Sequence, residues 1–367
     1  MKIKGYIEGY YGKILNWENR TSILETINKL NFNSYFYAPK EDPYHRVNWR
    51  DPYPNNWKEK FKKFNTTANN LKISVIFGIS PGLDFDFLNP KNDFSLLVNK
   101  IKIITQLGVN NIAIMFDDIV DIDKIKKISL KKRGLFHGLL IKNLMNLFKN
   151  INFYVVPEIY SDEIFIIPEI YFKELKKNLP LNVFLFITGK KIVSKKINLS
   201  NNCGIIPSLI ENKIIVWDNL YCNDYCPRKL FVGKWKSRDS NINIMLNGTG
   251  LFETDKLLLN LMKVENNNQN WEKTILKFKI PSIFFNISMF FDKPFFDSQK
   301  IDRKFNEKKF IESIDYLLWK WKDPISLEWY PYLLGLKQDY LIYKKKLKIK
   351  RIRKTQTFFS YINRKQK

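Results

Sequence analysis

Short runs of β-branched, aromatic and aliphatic residues recur along the first 250 positions, each closed by a polar or turn-forming residue. They predict eight strands: Ile3–Ile7, Asn33–Tyr37, Ile73–Phe77, Asn111–Phe116, Phe153–Val156, Val183–Ile187, Ile214–Trp217 and Ile242–Leu246. Several are almost continuously apolar, the pattern of parallel strands covered on both faces. Between them lie segments of helical period, such as Trp57 to Leu71, Phe94 to Leu107 and Lys131 to Phe148, with Thr254 to Lys263 as the last. Connections of that length suit right-handed crossovers. Eight such units within roughly 260 residues match the size of a (β/α)8 barrel. Periodicity does not decide closure, so a doubly wound open sheet stays open as the alternative.

A barrel places its chemistry at the C-terminal ends of its strands. In chain order those ends offer Glu8 and Gly9, Lys40, Ser80, Asp117 and Asp118, Tyr160, Thr188, Asn219 and Asp224, and Asn247. One such residue is an ordinary turn former; a set drawn from all eight ends points to a site. After Met262, Glu265 to Asn270 reads as a linker to a mainly helical region. There Phe310, Ile314, Leu317, Leu318 and Trp321 recur at helical spacing behind Asn306 as N-cap, a packing stripe. The expected organisation is a catalytic barrel over 1–264, a smaller helical C-terminal domain over 265–343 and a basic tail over 344–367.

Composition narrows the class. With 45% hydrophobic and 15% aromatic residues the chain is not disordered. Its most apolar stretch, Pro281 to Phe296, carries Asn286, Asp292 and Lys293 and reads as buried, so no membrane span is expected. Three cysteines, Cys203, Cys222 and Cys226, are too few for a disulfide framework, and His45 and His137 alone make no multi-histidine metal site. No metal or cofactor is expected. A strand begins at Ile3, without the pattern of a secretory signal, and the expected location is the cytoplasm. The formal net charge of +26 suits contact with anionic surfaces, but eleven Lys or Arg and no acid fall between Lys344 and Lys367, so the tail carries much of the excess.

Asp117 and Asp118 close the fourth strand. Adjacent carboxylates in a partly dry pocket repel, so one should titrate upward; a neutral carboxylic acid can then protonate a leaving glycosidic oxygen beside an ionised neighbour. The plain reading is a loop pair capping the next helix. A third reading takes Asp117-Asp118-Ile119-Val120-Asp121 as a DDxxD magnesium-diphosphate motif, but that motif belongs on a helix of an all-α fold and here follows a strand.

The motifs together resemble glycoside hydrolase family 84, the group of protein O-GlcNAcases and bacterial β-N-acetylglucosaminidases. The resemblance runs through Gly5-Tyr6-Ile7-Glu8-Gly9-Tyr10-Tyr11-Gly12, Tyr37-Ala38-Pro39-Lys40-Glu41-Asp42-Pro43-Tyr44-His45-Arg46 and Gly78-Ile79-Ser80-Pro81-Gly82-Leu83-Asp84. It continues in Phe116-Asp117-Asp118-Ile119, Trp217-Asp218-Asn219, Asn223-Asp224-Tyr225 and Leu246-Asn247, covering about residues 3 to 262. It implies exo-hydrolysis of terminal β-linked N-acetylglucosamine with retention, the sugar's own acetamide oxygen attacking the anomeric carbon to form an oxazoline. By the matched motif Asp117 would orient the acetamide and Asp118 would be the general acid and base. Tyr160 would support the acetamide oxygen, with Thr188 and Trp217 around its methyl group. Gly9, Lys40, Asn219, Asp224 and Asn247 would bind sugar hydroxyls, and the partner would be a β-GlcNAc-bearing glycan or glycoprotein. Ile187 and Val156 depart from the family's usual residues at the pocket wall. The alternative function is a non-catalytic glycan- or nucleic-acid-binding barrel.

Overall fold

A computed structural model of the 367-residue chain describes residues 2–118, 127–165, 167–198, 204–239, 241–264, 268–294 and 306–344. Asp121 of the DDxxD string, Cys203 and the basic tail beyond Lys344 lie outside the described residues.

Eight strands, β1 (Lys4–Glu8), β2 (Ser34–Tyr37), β3 (Ser74–Ile79), β4 (Asn111–Met115), β5 (Asn152–Val156), β6 (Phe184–Ile187), β7 (Ile214–Asp218) and β8 (Ile244–Asn247), pair in parallel in sequence order. β1 pairs with β8, so the sheet is a closed barrel. This settles the question periodicity left open, and it removes the all-α setting that a DDxxD motif requires. The alternation of side chains along each strand divides the apolar runs in two. Ile7, Phe36, Met115, Phe186, Trp217 and Met245 belong to the interior cluster, where Phe36 meets Phe186 at 4.9 Å and Trp217 at 5.5 Å between ring centroids. Their neighbours, among them Tyr6, Tyr35 and Tyr37, are buried outside that cluster. Val156 is part of the interior, whereas Ile187, one residue past the inward Phe186, turns the other way.

Three strands run beyond their apolar residues. Pairing reaches Glu8, opposite Tyr37, Asp218, opposite Leu246, and Asn247, opposite Ile7. These ends tolerate burial because each polar group has partners: Arg20 and Tyr35 donate to Glu8, Arg238 donates to Asp218, and Asn247 accepts from Gly9 N–H.

The intervening helices are α1 (Trp17–Lys29), α2 (Asn55–Asn70), α3 (Lys91–Gln106), α4 (Leu130–Leu147), α5 (Glu169–Asn178) and the single turn α6 (Ile206–Leu209). Capping explains two starts: Asn16 accepts from Asn19 N–H and Ser129 from Lys132 N–H.

The chain forms two compact units, Met1–Asn219 with Ser237–Gly250, which holds the barrel, and Leu220–Lys236 with Leu251–Lys367. The second unit contains α7 (Phe252–Val264), α8 (Asn268–Lys277), α9 (Glu307–Trp319) and α10 (Pro324–Tyr343). Asn268 to Asn270, expected in a linker, open α8 because its apolar side, Trp271 and Ile275, is buried. Asn306 caps α9 as its sequence suggests, accepting from Lys309 N–H at 2.9 Å, and Phe310, Ile314, Leu317 and Leu318 pack inside. Among the described residues no helix is long and apolar enough to cross a membrane.

Candidate active site

Pairing between β4 and β5 continues one residue past the strand, Phe116 N–H donating to Val156 O at 2.8 Å, and then the chain leaves the sheet. Asp117 is the next residue, 5% exposed. In an extended chain its neighbour would face the opposite way. Asp118 instead adopts φ +48°, the left-handed region that only glycine enters without cost. The turn returns its carboxylate to the side of Asp117, and Lys40 from the loop after β2 sits between them. Lys40 Nζ is 2.6 Å from Asp117 Oδ2 and 3.0 Å from Asp118 Oδ2.

This geometry separates the two acids. Burial drives the Asp117 carboxyl above its ordinary value against the pull of the Lys40 ammonium, with the Asp118 charge adding to the rise. Asp118 is also opposed by burial, but Lys40 and the hydroxyls of Tyr11 and Tyr160 outweigh it and hold its carboxyl below the ordinary value. Lys40 loses by burial and gains more from Asp117 and Asp118, so it stays charged. One carboxyl of the pair rises, as the sequence implied; it is that of Asp117.

Tyr160 Oη donates to Asp118 Oδ1 and Tyr11 Oη to Asp118 Oδ2, each at 3.0 Å. Burial raises both phenols, Tyr11 to about 12, so both remain donors at neutral pH. Asp117 Oδ1, by contrast, is buried and meets no side-chain donor and no N–H of another residue among the described residues. Thr188 lies beside Tyr160, its N–H donating to Tyr160 O at 2.9 Å.

A second cluster joins the ends of β1, β7 and β8. Asn219 Oδ1 accepts from Trp217 Nε1 at 3.0 Å and from Asn247 Nδ2 at 2.9 Å, while Asn247 Oδ1 accepts from Gly9 N–H at 3.2 Å. A Cβ on Gly9 would lie 2.2 Å from Trp217 Cζ2, so glycine is required for the indole to lie there. The first unit thus brings Asp117, Asp118, Lys40 and Tyr160 into one hydrogen-bonded group, and Gly9, Trp217, Asn219 and Asn247 into another. Asp224 belongs to the second unit, where its Oδ1 accepts from Tyr225 N–H at 2.7 Å.

Two residues not singled out in the sequence join the site. Tyr11 is 42% exposed and touches the acid pair directly. Arg46 is buried and donates from Nη2 to Asp118 O at 3.0 Å. Both stood inside quoted motifs, Tyr10-Tyr11-Gly12 and His45-Arg46, which was the available signal. Conversely Glu8, a strand-end acid, is closed in a bidentate pair with Arg20 at 2.8 Å and is structural. His45, its Nδ1 2.9 Å from Gly78 O, is pushed by burial down to about 3 and so stays neutral. Among the described residues no group of three or more His, Cys, Asp or Glu is placed to hold a metal ion.

The sequence profile of the beta-N-acetylglucosaminidase family matches residues 4–257. The protein O-GlcNAcases of Rattus norvegicus and Mus musculus are each 29% identical to the chain over 265 residues, 66% of this chain and 27% of theirs. The chain therefore spans about a quarter of the length of these relatives. A solved O-GlcNAc hydrolase variant from Thermobaculum terrenum superposes with a TM-score of 0.72 at 22% identity, over 92% of this chain and 84% of that one, and it shares the fold. The barrel, the motifs at its strand ends and the profile over most of the chain agree, and the chain belongs to the beta-N-acetylglucosaminidase family, glycoside hydrolase family 84.

Proposed function

We propose that the chain removes terminal β-linked N-acetylglucosamine from glycoproteins or glycans with retention, by substrate-assisted catalysis without metal or cofactor. The relatives' names supply the glycoprotein as the leading substrate. The catalytic domain in this reading is 1–264, with 265–343 as helical domain and 344–367 as basic tail. We place the protein in the cytoplasm.

The observation that carries the reading is the unequal state of two adjacent carboxylates. Among the described residues Asp117 keeps one buried oxygen without a donor from another residue, while both Asp118 oxygens are occupied. An acetamide N–H supplies the donor Asp117 lacks, and this raises the nucleophilicity of the acetamide oxygen. That oxygen attacks the anomeric carbon as the glycosidic C–O bond breaks, and Asp118 gives its proton to the leaving oxygen. Water then opens the oxazoline at the same carbon and returns a proton to Asp118. Neither acid has to reach the far face of the ring, so adjacency suffices.

Burial raises the Asp117 carboxyl while Lys40 and two hydroxyls lower that of Asp118, the reverse of the order the acid step requires. Substrate reverses it by two contacts. The acetamide N–H favours ionised Asp117, and Tyr160, by turning its hydroxyl to the acetamide oxygen, withdraws one donor that kept Asp118 ionised. The proton belongs to the pair and moves within it.

The test is release of 4-nitrophenol from its β-N-acetylglucosaminide by the purified chain. Asp118→Asn should lose most activity on a poor leaving group; full activity there sinks the acid assignment. A substrate whose acetamide is replaced by a group that does not cyclise should not turn over, and a normal rate would exclude substrate assistance.

A further inference from the structure

The left-handed turn that points Asp118 at its partner is held from outside the pair. Arg46 lies in the loop after β2, and that loop has a rigid base. Buried Asp42 accepts from Tyr37 Oη at 2.6 Å, Tyr53 Oη at 3.0 Å and Tyr44 N–H at 2.9 Å. The turn closes as His45 N–H donates to Asp42 O and Arg46 N–H to Pro43 O. From this base the Arg46 guanidinium reaches Asp118 once directly and once through Tyr11. Its Nη2 donates to the Asp118 backbone oxygen at 3.0 Å. Its centre also lies 5.3 Å from the centroid of the Tyr11 ring, whose hydroxyl donates to Asp118 Oδ2.

We infer that Arg46 is the positioning residue of the general acid: by gripping the Asp118 carbonyl and bracing Tyr11, it keeps the left-handed conformation in which the Asp118 carboxyl faces the scissile bond. The inference rests on the acid role proposed above for Asp118. A left-handed aspartate is disfavoured and persists only where its surroundings over-determine it. The charge-assisted bond to its carbonyl is the direct source of that constraint. Arg46 does not touch the reacting atoms; it acts through the direction in which Asp118 points.

The role has a signature that general destabilisation lacks, because an acid matters only where the leaving group needs a proton. Asp118→Ala, Arg46→Met and Arg46→Ala are assayed in the full chain on phenyl and 2,4-dinitrophenyl β-N-acetylglucosaminides. Loss of one charge-assisted hydrogen bond predicts a fall of about 30-fold in kcat on the phenyl glycoside and less than about threefold on the dinitrophenyl one, in the same direction as the larger split of Asp118→Ala. Guanidinium ion should restore part of the phenyl activity to Arg46→Ala. Arg46→Lys, which keeps a donor and loses the planar group over Tyr11, should fall between and serves where the larger changes do not fold. Equal losses on both glycosides in the Arg46 variants, beside a clear split in Asp118→Ala, overturn the inference and leave the acid assignment standing. An Asp118→Ala variant without the split overturns both.

Discussion

Lys40→Met tests the electrostatic core of the site, because it removes a cation bonded to one buried and one partly exposed carboxylate and replaces it with a side chain of similar length. The immediate effect is a buried acid, Asp117, beside a partly exposed one, without their shared counter-charge. Breaking a buried pair from one side typically costs about 3–5 kcal/mol. Here the loss has a ceiling, since the folded protein can protonate an acid instead. Protonating a carboxyl whose ordinary value is 3.8 costs about 4 kcal/mol at pH 7 and about 1.5 kcal/mol at pH 5, at 1.36 kcal/mol per unit. The deficit of the variant should therefore shrink as the solution is made more acidic. At about 2.1 cal/mol/K per residue over the roughly 230 residues of the first unit, 4 kcal/mol corresponds to a Tm lowered by about 8 °C. Thermal melts of both proteins at pH 5, 6 and 7 measure it. Kinetics supply the second arm: without the ammonium the pair binds its proton more tightly, so the acid limb of the rate profile should move to higher pH. A Tm gap that does not change between pH 5 and pH 7 would refute the coupled-pair argument.

Tyr160→Phe removes a donor that holds Asp118 ionised, so its carboxyl should rise and the lower limb of the kcat/KM profile should move to higher pH; an unmoved limb denies the coupling. The same depressed carboxyl contributes stability above its ordinary value that is lost as the pH falls through its folded value, and the variant should lose less of it in acid. Gly9→Ala forces a methyl into the Trp217 ring, and overpacking of about 1–3 kcal/mol should lower both Tm and kcat/KM, the latter by at least about tenfold. Arg20→Met leaves Glu8 buried beside Tyr35 without its cation and should cost about 3–5 kcal/mol in denaturant while the folded fraction keeps its kcat, since Glu8 does not bond to the acid pair. Asp118→Gly should be at least as stable as Asp118→Ala, because φ +48° penalises alanine more than glycine's flexibility penalises glycine; a clearly more stable alanine variant would show that the turn is not strained.

The barrel was legible because strands covered on both faces leave nearly unbroken apolar runs, and the turn residues between them keep their period. Their ends were less so. Glu8 and Asn247 read as residues beyond the strands, yet pairing includes both, since whether a polar end can stay in the sheet depends on partners distant in sequence, Arg20 and Gly9. α1 was not among the segments marked by period, because its buried set, Arg20, Ile23, Leu24 and Ile27, includes an arginine that the pattern counts as polar. At the site, motif order supplied the candidate residues. What the sequence did not contain was that Lys40 lies within 3.0 Å of both aspartates, which β2 and β4 bring together across 77 residues, or that Glu8 is neutralised by Arg20. A strand-end acid looks the same on the page whether it is catalytic or closed in an ion pair.

The contrast between Glu8 and the aspartate pair explains how one barrel end supports both stability and chemistry. Glu8 has a bidentate cation and a tyrosine hydroxyl, its demands are met internally, and its strand can extend to include it. Among the described residues Asp117 and Asp118 share a single ammonium between two charges, one buried oxygen lacks a donor from any other residue, and the second aspartate stands in a conformation its side chain disfavours. Each of these is unfavourable for folding alone. Each is also a condition for the proposed reaction: the unfilled oxygen selects an N–H, the shared cation lets a proton move within the pair, and the left-handed turn sets both carboxyls on one side. Full satisfaction at this position would make a second Glu8, more stable and inert. In the proposed reaction the surroundings that hold the unfavourable arrangement, the Asp42 hub, Arg46 and Tyr11, therefore act through the acids they hold.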